Sequence, residues 1–154
     1  MRFIYVHKRL RRCDRMKKFD KEQLADISRR FRINLVVLFG SRARGWETPK
    51  SDYDIGVWIE NCPFEHDWHQ ETAIWEAFAD LLRTDKLDLI ILNRANGALS
   101  YEVACYGIPL YEEIPFAFQK FQVLATKRCE DMKRIDRWNR WYIEDFLEKR
   151  RTNA

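Results

Sequence analysis

Five consecutive apolar residues, Leu35-Val36-Val37-Leu38-Phe39, run straight into Gly40. A continuous apolar run with β-branched members suits a strand covered on both faces, so helices are expected on either side of the sheet it joins. A chain of 154 residues can bury one sizeable core of this kind, and is short for two. Its 46% hydrophobic and 14% aromatic content suits a packed globule rather than a disordered chain.

The elements around that run follow from local signals. Asp20 reads as a helix N-cap, with Gln23 placed as in a capping box and Phe19 and Leu24 at the hydrophobic-staple positions. Leu24, Ile27 and Phe31 then give one apolar face up to about Arg32. A loop from Gly40 to Ser51 leads to a second strand, Asp52 to about Glu60, closed by Cys62-Pro63. A helix is expected from about His66 to Arg83, with Trp68, Thr72, Trp75, Ala79 and Leu82 on one stripe. A third strand follows at Leu87–Leu92, then a helix at Ala98–Tyr106 with Gly107 as C-cap and Pro109 beyond it. Leu110-Tyr111 suits a short edge strand.

Past Pro115 there is neither Pro nor Gly, and the chain reads as one long helix to about Arg150. Phe118, Phe121, Ala125, Met132, Ile135, Tyr142 and Phe146 recur along it, and core packing is the first reading of Phe118, Phe121 and Ile135. Trp138, Trp141 and Tyr142 extend past the expected end of the sheet, where a partner helix or a second copy of the chain would meet them. The whole pattern predicts an α/β (α+β) domain, a small mixed sheet flanked by helices. Three stretches are expected: a basic extension at 1–18, a core at 19–112 and the C-terminal helix at 113–154.

The net charge of +4 is unevenly spread. Residues 1–18 hold eight basic side chains and one acid, so the remainder of the chain sums to −3. The extension could attract nucleic acid, but the folded part carries no positive field to hold it, and a solvated tail is the simpler reading. Met16 is an alternative start. No apolar run reaches the roughly 20 residues of a membrane span, and the N-terminus makes a poor secretory signal. Cys13, Cys62, Cys105 and Cys129 are scattered, as expected of reduced thiols in the cytoplasm.

Three acids and one loop carry the chemistry. Asp52 and Asp54 stand two apart at a strand start, so alternation turns both to one face. Two such carboxylates repel unless a cation compensates, and hard divalent cations such as Mg²⁺ prefer oxygen ligands. Asp88 lies among Leu87, Leu89, Ile90, Ile91 and Leu92, and would complete a three-carboxylate cluster if its strand neighbours the second. Alone, the Asp-x-Asp pair reads first as a solvated turn, and Asp88 as a strand-end cap or a partner of a nearby Lys. The loop Gly40-Ser41-Arg42-Ala43-Arg44-Gly45 shifts that balance. Gly40 permits close backbone approach, Ser41 offers a hydroxyl, and free N–H groups at such a turn bind phosphate. Arg42 and Arg44 add donors suited to phosphate oxygens, or are solvated loop residues. Gly56, on the face of Asp54, is expected to leave room for substrate. The pattern is not that of a Walker A loop. His66 and His69, three apart on a helix, lack an evident third ligand and read as incidental.

Gly40-Ser41, ten residues, then Asp52-Tyr53-Asp54 resembles the G-S-x₁₀-D-x-D signature of the DNA polymerase β-like nucleotidyltransferase superfamily, and Leu87-Asp88-Leu89 fits its third carboxylate. Within that superfamily the small size, the segment Gly107-Ile108-Pro109-Leu110-Tyr111 and the long last helix resemble the minimal nucleotidyltransferases (MNT) encoded beside a HEPN-domain partner. The resemblance implies two Mg²⁺ ions held by Asp52, Asp54 and Asp88, and ATP as substrate with its phosphates gripped by Gly40 and Ser41. It implies Arg42 or Arg44 facing the departing pyrophosphate, and AMP transfer to a tyrosine of a HEPN toxin in an antitoxin role. The alternatives are an antitoxin that only binds its toxin, or transfer to a small molecule or an RNA 3′ end. A second copy joined through the C-terminal helix is a further expectation.

Overall fold

The computed structural model describes residues 19–62 and 67–152. The basic extension, Cys13 and His66 therefore lie outside the described residues. Helix α1 spans Lys21–Phe31, capped by the Asp20 carboxylate, which accepts from the backbone N–H groups of Glu22 and Gln23. It ends where Arg32 turns left-handed at φ 55° and returns its N–H to the helix. Strand β1 follows at Ile33–Phe39, then a five-residue helix α2 at Gly40–Arg44, β2 at Tyr53–Ile59 and α3 at Trp68–Leu82. Strand β3 is Leu87–Ile91, α4 Gly97–Tyr106, β4 Ile108–Glu112 and α5 Ala117–Thr152.

The four strands form one mixed sheet in the order β3-β2-β1-β4. β1 runs antiparallel to both neighbours, while β2 and β3 are parallel and need the crossover that α3 supplies. The apolar run is central and covered on both faces, with Leu35, Val36 and Val37 each 0% exposed. Val36 and Leu38 join the core beneath α1 and α3 with Leu24, Ile55, Ile74 and Phe78. Leu35, Val37 and Phe39 join the opposite core with Leu92, Val103, Phe118 and Phe121 from α4 and α5. A register shift between Ile33 and Leu35 turns Ile33 to the first core despite its odd position.

Four expectations change in detail. Asp52 precedes β2 rather than starting it. The stripe expected on α3 is out of phase: Ile74 and Phe78 are fully buried, whereas Trp68 is exposed and Thr72 lies at the surface. Gly107 caps α4 with an extended φ of −66°, so space and not handedness requires it. A Cβ there would stand 2.4 Å from the Val103 carbonyl oxygen and 2.5 Å from Val37 Cγ1. Ile135 is not core but 58% exposed, because the sheet and α4 end before it, and the last buried residue of α5 is Cys129. Among the described residues no helix is long and apolar enough to cross a membrane.

Candidate active site

The site grows from the end of β1. Phe39 pairs with Asp54 across the antiparallel ladder, and Asp54 pairs with Asp88 across the parallel one. In-register neighbours share a face, with strands spaced about 4.8 Å apart. The Gly40 turn, Asp54 and Asp88 thus stand in a row across three strands. Gly40 has φ +65°, and a Cβ there would lie 2.0 Å from Asp54 Oδ2 and 2.6 Å from its Cγ. The carboxylate therefore lies directly over the glycine backbone, a contact no other residue permits.

The loop that returns to Asp52 is held at both ends. Gly45 closes α2 in the left-handed region, and the Trp46 N–H donates to the Ser41 carbonyl at 3.0 Å. Thr48 N–H donates to Ser51 Oγ at 2.9 Å, and Tyr53 N–H donates to the Lys86 carbonyl at 2.9 Å, which sets the start of β2 beside β3. Arg42 donates through Nε to the Asp52 carbonyl at 2.9 Å and through Nη2 to the Ser51 carbonyl, and its guanidinium lies 3.9 Å from the Tyr53 ring centre. It clamps the backbone that carries Asp52. Arg44 pairs with Glu102 of α4 at 2.9 Å and lies over the rings of Tyr106, at 4.1 Å, and Trp46, at 5.2 Å. Glu102, Tyr106 and Trp46 were not singled out from sequence. The first two come from α4, whose approach to the loop leaves no local pattern, and only Trp46, an aromatic inside a polar loop, carried a signal.

Burial, with Asp88 and then Asp52 beside it, pushes the Asp54 carboxyl above the usual carboxylate range. Arg42 pulls the other way, and Glu102 adds to the rise. Asp54 thus lies within electrostatic reach of both other aspartates at this corner of the sheet. Their oxygen donors and gathered negative charge, which Arg42 offsets only in part, fit hard divalent cations. No three of His, Cys, Asp or Glu among the described residues converge as a ready-made coordination group. Asp52 and Asp88 are exposed, whereas Asp54 is half-buried. His69 is exposed on the first turn of α3, apart from this corner. Gly56 leaves no room for substrate: a Cβ there would meet Leu92 Cδ2 at 2.9 Å, so the gap is filled by Leu92.

The sequence profile of the family Polymerase beta, Nucleotidyltransferase matches residues 22–115. The chain is 31% identical over 126 residues to the protein adenylyltransferase MntA of Aphanizomenon flos-aquae (strain 2012/KM1/D3), across 76% of this chain and 82% of that one. Among solved structures, a toxin-antitoxin crystal structure with AMP-PNP aligns with a TM-score of 0.62 at 21% identity, covering 84% of this chain and 99% of that chain. A tri-AMPylated Shewanella oneidensis HEPN toxin in complex with an MNT antitoxin aligns with a TM-score of 0.55 at 19% identity, covering 91% and 98%. At these identities the structural likenesses speak for the fold.

Proposed function

Because the chain belongs to the polymerase β nucleotidyltransferase family, we propose that it transfers AMP from ATP to a tyrosine hydroxyl of a HEPN-domain toxin, and is the antitoxin of that pair. One observation carries this reading: Asp54 stands between the Gly40 turn and Asp88, in register across three strands. The row orders the reaction in space, with phosphate grip on one side of Asp54 and acceptor on the other.

The Gly40 turn, the Ser41 hydroxyl and the N–H groups of α2 hold the β- and γ-phosphates on the β1 side. Asp52, Asp54 and Asp88 would hold two Mg²⁺ ions, which when bound would neutralise the triphosphate and lower the pKa of the attacking hydroxyl. Asp88, on the β3 side, orients the acceptor hydroxyl and receives its proton. Arg42 keeps Asp52 aimed by holding the Ser51 and Asp52 carbonyls, and with Arg44 supplies positive charge toward the departing pyrophosphate. The raised Asp54 supports this assignment, since cations are what such a crowded carboxylate lacks. The free thiols of Cys62, Cys105 and Cys129 support a cytoplasmic setting.

The test is incubation with radiolabelled ATP, Mg²⁺ and the HEPN protein encoded beside this chain. Label on a tyrosine of that protein, lost with EDTA and with Asp54→Asn, is the expected result. Label reaching a small molecule or an RNA 3′ end instead would replace the acceptor and keep the enzyme. Neutralisation of the toxin without any transfer would make the chain a binding antitoxin.

A further inference from the structure

Helix α5 is 36 residues long, about 54 Å at 1.5 Å per residue, but its buried residues end at Cys129. The part that continues carries Ile135, Trp138, Trp141, Tyr142 and Phe146, each between 48% and 67% exposed. Five such side chains offer roughly 600 Å² of apolar surface. That stands at the top of the roughly 300–600 Å² of the largest patch on a typical monomer, against the roughly 800 Å² each partner contributes to a standard interface.

We propose that this surface pairs with a second copy of the chain, the two α5 helices running antiparallel about Trp141. The occupant is chosen by charge. Asp131, Ile135, Trp138, Tyr142, Asp145 and Lys149 follow the four-three spacing of a coiled-coil seam, and Arg134, Trp141 and Glu148 flank it seven residues apart. In a parallel pair Asp131, Asp145 and Lys149 would each face its own copy, like charge against like. Antiparallel pairing sets Trp138 beside the partner's Tyr142, and Asp131 beside the partner's Lys149. On the flank it sets Arg134 beside the partner's Glu148, with Trp141 meeting its symmetry mate. Ile135 then meets the partner's Asp145, whose charge is already answered on its own helix by Lys149 at 2.8 Å. Opposite charges thus lie at both ends of an aromatic centre, where Trp138 and Trp141 already lean together with ring centres 6.1 Å apart. The proposal is independent of the acceptor, because every residue assigned above to transfer precedes residue 103.

Sedimentation equilibrium of the full chain tests it. A dimer is expected, weakened at least tenfold by Arg134→Glu and by Glu148→Arg singly, and restored to within about threefold in the double variant. Residues 134 and 148 stand about 21 Å apart along one helix and cannot meet within a chain, so rescue reports a contact between copies. A monomer at every concentration, as expected if a different protein covers the stripe, overturns the proposal. So does a dimer indifferent to the charge exchange.

Discussion

Gly40 is where a single atom matters most. Its φ of +65° and the 2.0 Å approach of Asp54 Oδ2 leave no place for a Cβ. Gly40→Ala is therefore expected to cost about 2 kcal/mol, roughly 5 °C in Tm, by left-handed strain and displacement of the carboxylate. AMP transfer should fall at least a hundredfold, and differential scanning calorimetry beside a transfer assay checks both. Asp54→Asn should separate stability from activity. The carboxyl is raised on folding, so the stability it contributes is present below its ordinary value of 3.8 and lost as pH rises through the folded value. Metal-free Asp54→Asn should then melt slightly higher than the parent at pH 7, by at most about 2 °C given the group's exposure, and no higher near pH 3.5. Transfer should be abolished. A parent protein more stable than the variant at pH 7 in EDTA would contradict the crowding of the three acids. The aspartates were legible in sequence because strand alternation and the spacing to Gly40 are local facts. Glu102 and Tyr106 were not, because a helix more than fifty residues away in sequence delivers them to Arg44.

Elements were legible wherever one signal dominated. The apolar run could only be a covered strand, and the Asp20 cap marked the start of α1. The phase of α3 was misread because aromatic residues sit on both sides of that helix, and Trp75 satisfies its ring N–H at the Leu87 carbonyl without being fully buried. Ile135 was misread for a different reason: periodicity continues along α5 after the surface that could bury it has ended. Helical spacing reports which residues share a face, never whether anything covers that face. The energetic consequence is sharp within the one helix. Phe121 is 1% exposed and stacks against Trp58 at 5.8 Å, so Phe121→Ala should cost about 3–5 kcal/mol by urea denaturation. Ile135→Ala should cost under about 1 kcal/mol in the same experiment at concentrations too low for self-association. Equal losses at the two positions would mean that α5 is covered along its length.

At the scale of the described residues, a compact body carrying the three aspartates has a rod attached, and the two parts are separable on energetic grounds. α5 is tied to the body in its first half: Phe118, Phe121 and Ala125 fill the core under β1, and Gln122 donates to the Ala104 carbonyl at 2.8 Å. Arg128 closes the attachment, donating to the carbonyls of Leu92 and Asn93 at 3.0 and 3.1 Å, while the Arg128 carbonyl lies 2.7 Å from where a Gly97 side chain would begin. Beyond this clasp Lys133 still reaches α4, its Nζ 5.7 Å from the Tyr101 ring centre, and further on the described contacts include the surface ion pairs of Arg134 with Asp131 and Lys149 with Asp145, each worth little to stability, and the ring contact of Trp138 with Trp141. A chain spanning residues 19–133 keeps every buried residue among those described and all three aspartates. It should fold with a Tm within about 5 °C of the full chain, bind ATP by isothermal titration with an affinity changed less than threefold, and sediment as a monomer. Loss of ATP binding in that fragment would show that the rod supports the site. Unchanged association would place the contact between copies somewhere other than the stripe.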